Sequence, residues 1–263
     1  MNKLATRTDT PQNLSAARTA ELYALYARYY GGTSPELFAR DLAEKDHILL
    51  LEDEYGRTRG FTTLKILPFS HEGQTGRALF SGDTIIDHRY WGEQTLPLAW
   101  CELAGRLKAQ QPDTPLYWLL IVKGDRTYRY LNAFSKSYYP NRRRPTPPDI
   151  QRLIDRLAAA RFGAHYRPDS GLIRYPESQG HLKSEWLNEK TAANPEAAYF
   201  RSRNPRHAEG DELVCLTLLA PENLRSFALR GFLAGLQRGA LRTPARNLRR
   251  GIQTKLRHRP ACI

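Results

Sequence analysis

The stretch Ala78 to Lys108, ALFSGDTIIDHRYWGEQTLPLAWCELAGRLK, reads as a buried strand, a tight polar turn with one glycine, and an amphipathic helix. Leu96, Leu98, Ala99, Cys101, Leu103, Ala104 and Leu107 fall mostly on one side of that helix, which the spacing predicts over 94–110. Pro97 lies in its first turn, where a missing N–H is tolerated. A helix that starts in the turn Arg89 to Thr95 aims several unpaired backbone N–H groups at whatever occupies the loop, and anionic groups, phosphates above all, suit that position.

Outward from this unit, the apolar run Pro115 to Val122 is long enough for one strand, and it is apolar on both faces, as a central strand would be. The helix between it and Ala78–Asp87 predicts that the two strands are parallel. Upstream, His47–Glu52 and Gly60–Leu67 flank the polar turn DEYGRTR and predict a hairpin. Two helices precede them, over 14–31 and 35–46, the second with Ser34 as cap and Pro35 just inside. Downstream, an aromatic-rich helix over 126–134 leads to the polar, proline-rich break Asn141–Pro148, which includes Arg142-Arg143-Arg144. A helix over 150–161, a strand at Gly171–Tyr175 and a late strand at Asp211–Leu219 follow, with 177–206 weakly specified.

The chain has 263 residues and a formal net charge of +13. Residues 221–263 hold ten Lys or Arg against one acid, Glu222, so +9 of that charge lies in the last 43 residues. This basic segment is helical by pattern, with Gly231, Gly235 and Gly239 inside it and Pro244 as a break. Leu224, Phe227, Ala228, Phe232, Leu236 and Leu241 form its apolar side, while Arg225, Arg230, Arg238, Arg242, Arg246, Arg249 and Arg250 carry its charge. Such a segment either docks on the body, its glycines allowing close helix packing, or meets an anionic membrane surface ahead of nucleic acid. No apolar run reaches transmembrane length and no signal-peptide pattern opens the chain, so the expected location is cytoplasmic, with peripheral membrane contact through the tail. Cys101, Cys215 and Cys262 are widely spaced and form no metal motif, and the first two read as core residues.

The order of helix, helix, three strands, turn, helix, strand, helix resembles the GNAT superfamily of acyl-CoA-dependent N-acyltransferases, except that the family's usual first strand has no counterpart that the pattern identifies. In that family the fourth strand enters an Arg/Gln-x-x-Gly-x-Gly/Ala loop, and Ile85-Ile86-Asp87-His88-Arg89-Tyr90-Trp91-Gly92-Glu93-Gln94 looks like this passage, whether Arg89 or Trp91 is its first motif residue. Either register replaces a glycine, with Gln94 in the first and Gln94 and Leu96 in the second. The resemblance implies an α/β (α+β) fold, a GNAT-like mixed central sheet flanked by helices with a basic C-terminal helical extension. It implies acyl-CoA or acetyl-CoA bound by Ile85, Ile86, Arg89, Trp91, Gly92, Glu93, Gln94 and Thr95, with no metal. The implied function is transfer of the acyl group to an unknown amine acceptor, and the alternative is a non-catalytic GNAT-like scaffold attached through its basic tail.

Within this reading Asp83 and Asp87 are the candidate general bases. The family's acid tyrosine would fall on Phe134, which has no proton to donate, so Tyr130 is the candidate acid and Tyr128 its substitute. His88 and the ionisable run Asn204–Glu212 are secondary candidates for the cleft, and the arginine triplet is one for phosphate. The expected organisation is a GNAT-like domain at 1–145, a continuation or second half at 146–220, and the basic segment at 221–263. No serine hydrolase, metalloenzyme or phosphate-binding Gly-Lys-Ser/Thr pattern is present.

Overall fold

The computed structural model describes residues 4–177, 179–186 and 193–242. One eight-stranded sheet organises them, with the strands β1 (Ala5–Asp9), β3 (His47–Glu52), β4 (Thr58–His71), β5 (Gln74–Ile86), β6 (Leu116–Val122), β10 (Glu212–Leu218), β8 (Leu172–Ile173) and β7 (Tyr166–Arg167) in that spatial order. All neighbours are antiparallel except β5 and β6, which are parallel and joined through helix α3 (Thr95–Gln110). This is the mixed central sheet flanked by helices that is expected from the sequence. The first strand missing from the pattern is β1, paired with β3 from Ala5↔Glu52 to Asp9↔Ile48. Its sequence, ATRTD, is exposed and polar because only one of its edges is paired.

The two faces are sorted by strand alternation. In β3, Ile48 and Leu50 face helices α1 (Ala16–Tyr29) and α2 (Pro35–Ala43), packing with Leu22, Leu25, Phe38 and Leu42, while Leu49 and Leu51 face α3. In β6, Trp118, Leu120 and Val122 face α3 and α4 (Asp125–Phe134), and Leu119 faces α5 (Pro148–Phe162). Ser15 and Ser34 cap α1 and α2 by accepting from Arg18 and Leu37 backbone N–H groups. Residues after 146 continue this sheet: β10 lies between β6 and β8, antiparallel to both. The remaining elements are the two-residue strands β2 (Tyr30–Gly31) and β9 (His181–Leu182), which pair with each other, and helices α6 (Pro195–Arg203) and α7 (Ser226–Arg242). Cys101 and Cys215 are buried free thiols.

Helix α7 packs its apolar side on α3, burying Ala228 and Phe232 in the main core together with Leu224 just before it. Through Phe232 that side is therefore covered by protein, with Leu236 partly buried against the same core, whereas Leu241 at the helix end is exposed. Pro244, Arg246, Arg249, Arg250 and Cys262 lie outside the described residues. The approach of the two helices requires glycine. A Cβ on Gly105 would stand 2.0 Å from the Phe232 carbonyl oxygen, and one on Gly235 2.0 Å from that of Glu102.

Alanine is the better helix former by about 1 kcal/mol, but overpacking of a filled interface typically costs about 1–3 kcal/mol. The clash here is with backbone, which cannot rotate away. Gly235→Ala is therefore expected to lower the urea midpoint of unfolding, whereas Gln237→Ala, on the exposed side of the same helix, leaves it unchanged. A Gly235→Ala midpoint at or above the wild type would contradict this packing.

Candidate functional site

The pairing of β5 with β6 runs from Arg77↔Leu116 to Ser81↔Leu120 and stops there. On its other side β5 continues to pair with β4 as far as Gly60↔Ile86, but with a bulge: Thr63 alone stands between Leu64↔Ser81 and Thr62↔Thr84, opposite both Gly82 and Asp83. The extra residue bends β5 away from β6 and reverses the alternation of its side chains. Gly82 is fixed by crowding, since a Cβ there would meet Thr63 Oγ1 at 2.5 Å and Lys45 Cε at 2.8 Å. The result is a slot between the strands from Gly82 to Ile86, and no described strand pairs with that edge.

Two cavities open on this slot from opposite faces of the sheet. The larger, about 490 Å³, lies under the first turns of α3 and α4. The smaller, about 260 Å³, lies between α2, α5 and the other face. Consecutive residues divide between them: Thr84 and Gly124 line the larger, Asp83 and Lys123 the smaller. Tyr30 on the larger side stacks on Tyr26 on the smaller, with ring centroids 4.8 Å apart and planes at 9°. The stacked pair thus has one ring in the lining of each cavity.

The larger cavity is lined by all four tryptophans of the chain, Trp91, Trp100, Trp118 and Trp186. At its outer end the turn after β5 is pinned to α1: the Tyr29 hydroxyl accepts from the His88 backbone N–H at 2.6 Å, and the Trp91 indole donates to the Ile86 carbonyl at 2.9 Å. The Arg126 guanidinium lies 3.6 Å over the Trp91 ring, so the turn and the α4 start meet across the mouth. Trp186 joins them from the far segment, 5.5 Å from Trp91 and 4.9 Å from Tyr29 between ring centroids, with its own N–H on the Arg28 carbonyl.

Of the residues expected to hold a donor, Ile85, Ile86 and Trp91 line this cavity. Gly92 has φ +100°, and a Cβ on it would meet nothing within 4 Å, so a positive φ and not a close approach is what demands glycine. Gln94 turns its side-chain amide back to the Gly92 carbonyl at 2.8 Å and makes no cap to α3, whose first helical bond runs from Leu98 N–H to Gln94 O at 3.0 Å. The helix start at Thr95 therefore lacks a side-chain cap. Leu96 is buried and lines the cavity, Glu93 is exposed, and Arg89 is committed to Asp87 at 2.6 Å.

The two candidate bases lie in opposite environments. Asp87 is buried and bonded to Arg89, with Arg28 at 3.3 Å, and the Arg89 hydrogen bonds hold its carboxyl down at about 2. Asp83 lines the smaller cavity with Tyr26, Phe80 and Phe162. Desolvation there, reinforced by the charge of Asp41, lifts it to about 6 against the pull of Lys123 and Lys45. Those two cations are already paired, Lys45 with Asp41 at 2.6 Å and Lys123 with Glu212 at 2.9 Å. Burial alone would lower Lys123, but Glu212 keeps it above its ordinary range. The second Glu212 carboxylate oxygen is buried with no hydrogen-bond partner among the described residues.

Tyr130 and Phe134 both line the larger cavity, with the Tyr130 hydroxyl unengaged among the described residues and its pKa raised by desolvation. Tyr128 is fully buried and donates to the Pro140 carbonyl at 2.8 Å. His88 stands against Trp186, 5.1 Å between ring centroids. From the run Asn204–Glu212, His207 reaches the larger cavity and Glu212 the smaller. Arg142 of the arginine triplet pairs with Glu196 at 2.6 Å and lines neither. Sequence reasoning missed Ser81, Lys45, Lys123 and Trp186, whose roles depend on the slot and not on local pattern. Among the described residues no group of three or more His, Cys, Asp or Glu is gathered for a metal, and no helix is long and apolar enough to cross a membrane.

No protein-family model matches the chain and no curated protein matches its sequence. Among solved structures, a GNAT family N-acetyltransferase (YhbS) from Escherichia coli in complex with CoA overlaps 51% of this chain and 69% of its own, at 14% identity and a TM-score of 0.35. Arabidopsis thaliana NAA60 in complex with acetyl-CoA overlaps 52% of this chain and 87% of its own, at 12% identity and a TM-score of 0.38. For a GCN5-related N-acetyltransferase from Kribbella flavida the values are 52%, 34%, 14% and 0.38, so the chain spans about a third of that protein. Overlaps at these identities and scores assign no activity, ligand or residue to this chain.

The Asp83 environment has a consequence for stability. Its folded pKa, about 6, lies above the ordinary 3.8, so the folded state is favoured by the protonated carboxyl, fully so below about pH 4, and loses that contribution as pH rises through 6. Asp83→Asn is expected to raise stability at pH 8 by about 1–2 kcal/mol, discounted for the partial exposure of the group. The difference should vanish at pH 4. Denaturant unfolding at both pH values measures it, and a variant less stable than wild type at pH 8 would contradict the assignment.

Proposed function

We propose that this protein is an acyltransferase that moves an acyl group from a CoA-type thioester to an amine, with the donor in the larger cavity and the amine in the smaller. The observation that carries this reading is the splayed β5–β6 pair, because it opens both cavities on one slot where two reactants can meet from opposite faces. The outer end of the larger cavity suits a phosphate-bearing donor: the α3 start has no side-chain cap, and Arg126 lies at the mouth. The free edge of β5 offers backbone groups to the amides of a pantetheine arm.

Asp83 is the general base of this proposal. With a pKa near 6 it is ionised at neutral pH and accepts the proton of the attacking amine as the C–N bond forms. The orphaned Glu212 oxygen favours a cationic amine arriving in the same cavity, which sheds one proton to solvent before it attacks as the free base. Tyr130 is the acid: desolvation keeps its proton on, and it passes that proton to the thiolate as the C–S bond breaks. Asp87 serves the turn's shape, since its carboxylate is held by Arg89 and Arg28.

Calorimetric titration with CoA and thiol release in the presence of small primary amines test this function. The wild-type rate is expected to rise with pH to a plateau above about 6. Asp83→Asn should lose about 10²–10⁴-fold in kcat together with that limb of the profile, while keeping its affinity for CoA. Wild-type rates in the variant would remove Asp83 from the mechanism, and absence of CoA binding would sink the donor assignment.

A further inference from the structure

We propose that the acyl group handled at the slot is a medium-length apolar chain and not acetyl, a conclusion that rests on the donor reading above. The larger cavity does not end where β5 and β6 part. Trp118 stands opposite Leu79, two rungs inside the last pair Ser81↔Leu120, and it lines the cavity together with Trp100 and Phe134. At about 3.3 Å per residue this is roughly 7 Å of depth beyond the slot. A thioester carbonyl must lie at the slot for an amine in the smaller cavity to reach it. Whatever follows the carbonyl then has this depth to fill.

The inner walls are carbon. Trp100 and Trp118 lie 4.4 Å apart between ring centroids, and Phe134 stands 6.2 Å and 5.7 Å from them. Both indole N–H groups donate to the Ser81 hydroxyl, at 3.3 Å and 2.9 Å, so the polar edges of the two rings are satisfied within the wall. Leu120, in the last pair, stands between this end and the slot. Of the charged lining residues, Asp125 and Arg126 stand at the start of α4 and Arg201 stands on α6. An acetyl group would leave the inner faces without contacts, whereas each methylene buried there strengthens binding by roughly fourfold.

Because every tryptophan of the chain lines this cavity, intrinsic fluorescence reports its filling directly. The test is titration of the wild type with CoA, acetyl-CoA and octanoyl-CoA. The expected result is a Kd for octanoyl-CoA at least tenfold below that for acetyl-CoA, with a change in tryptophan emission on octanoyl-CoA binding that acetyl-CoA does not produce. Leu120→Phe, which narrows the passage from the slot to the inner end, should shrink that ratio; should the variant fail to fold, the wild-type ratio decides alone. Equal Kd values for all three ligands would overturn the chain pocket and leave the donor site standing. Failure of all three to bind would overturn the donor reading and the chain pocket with it.

Discussion

The site depends on one local irregularity, the two residues Gly82 and Asp83 that β5 places opposite the single Thr63. Without that bulge β5 would stay beside β6 and the sheet would be closed from edge to edge. With it the strands part after Ser81, and the alternation of β5 shifts by one, so that Asp83 faces the α5 side and Thr84 the α3 side. A single backbone feature thus creates the opening, supplies a carboxyl to one side of it and fixes which cavity each neighbour lines. Gly82 is tightly held between Thr63 and Lys45, which ties the bulge to the cation that partly offsets the Asp83 charge.

Around this opening the protein separates two kinds of surface. The α3 side is aromatic and apolar, with its few indole N–H groups turned into hydrogen bonds on Ser81, Ile86 and Arg28. The α5 side is ionic, with Lys45–Asp41 and Lys123–Glu212 pairs flanking Asp83, which has no ion-pair partner among the described residues. Charge buried beside a low-dielectric wall raises the pKa of a carboxyl and lets it take protons near neutrality. The contrast between Asp83 and Asp87, four residues apart, comes from burial and partners together: desolvation raises Asp83, whose nearby cations are committed elsewhere, whereas the Arg89 hydrogen bonds hold Asp87 down.

The strand, turn and helix of Ala78–Lys108 were legible because their apolar spacing is local, and the parallel β5–β6 pair followed from the helix between them. Strand β1 was not legible, since an edge strand with a solvated face carries no apolar alternation. Nor was the bulge, because nothing in SGDT distinguishes a bulged strand from a regular one until Thr63 is placed across from it. The cavities were half visible: of the residues singled out in the sequence, Ile85, Ile86, Trp91 and Tyr130 line the larger and Asp83 the smaller, but Trp186 arrives from a polar segment by way of the two-residue pairing of β2 with β9. For the glycines of α7, the spacing of four announced a close helix contact, and only the fold identified α3, with its own Gly105, as the partner.

The central claim is that the slot beyond Ser81 receives a thioester donor, and a crystal structure of the protein with CoA tests it most directly. The expected complex has the pantetheine arm between β5 and β6, its amides on the free edge of β5, its thiol at the slot beside Asp83 and Tyr130, and its pyrophosphate at the start of α3. CoA bound anywhere else, or β5 and β6 found paired beyond Ser81↔Leu120 with the slot closed, would contradict it.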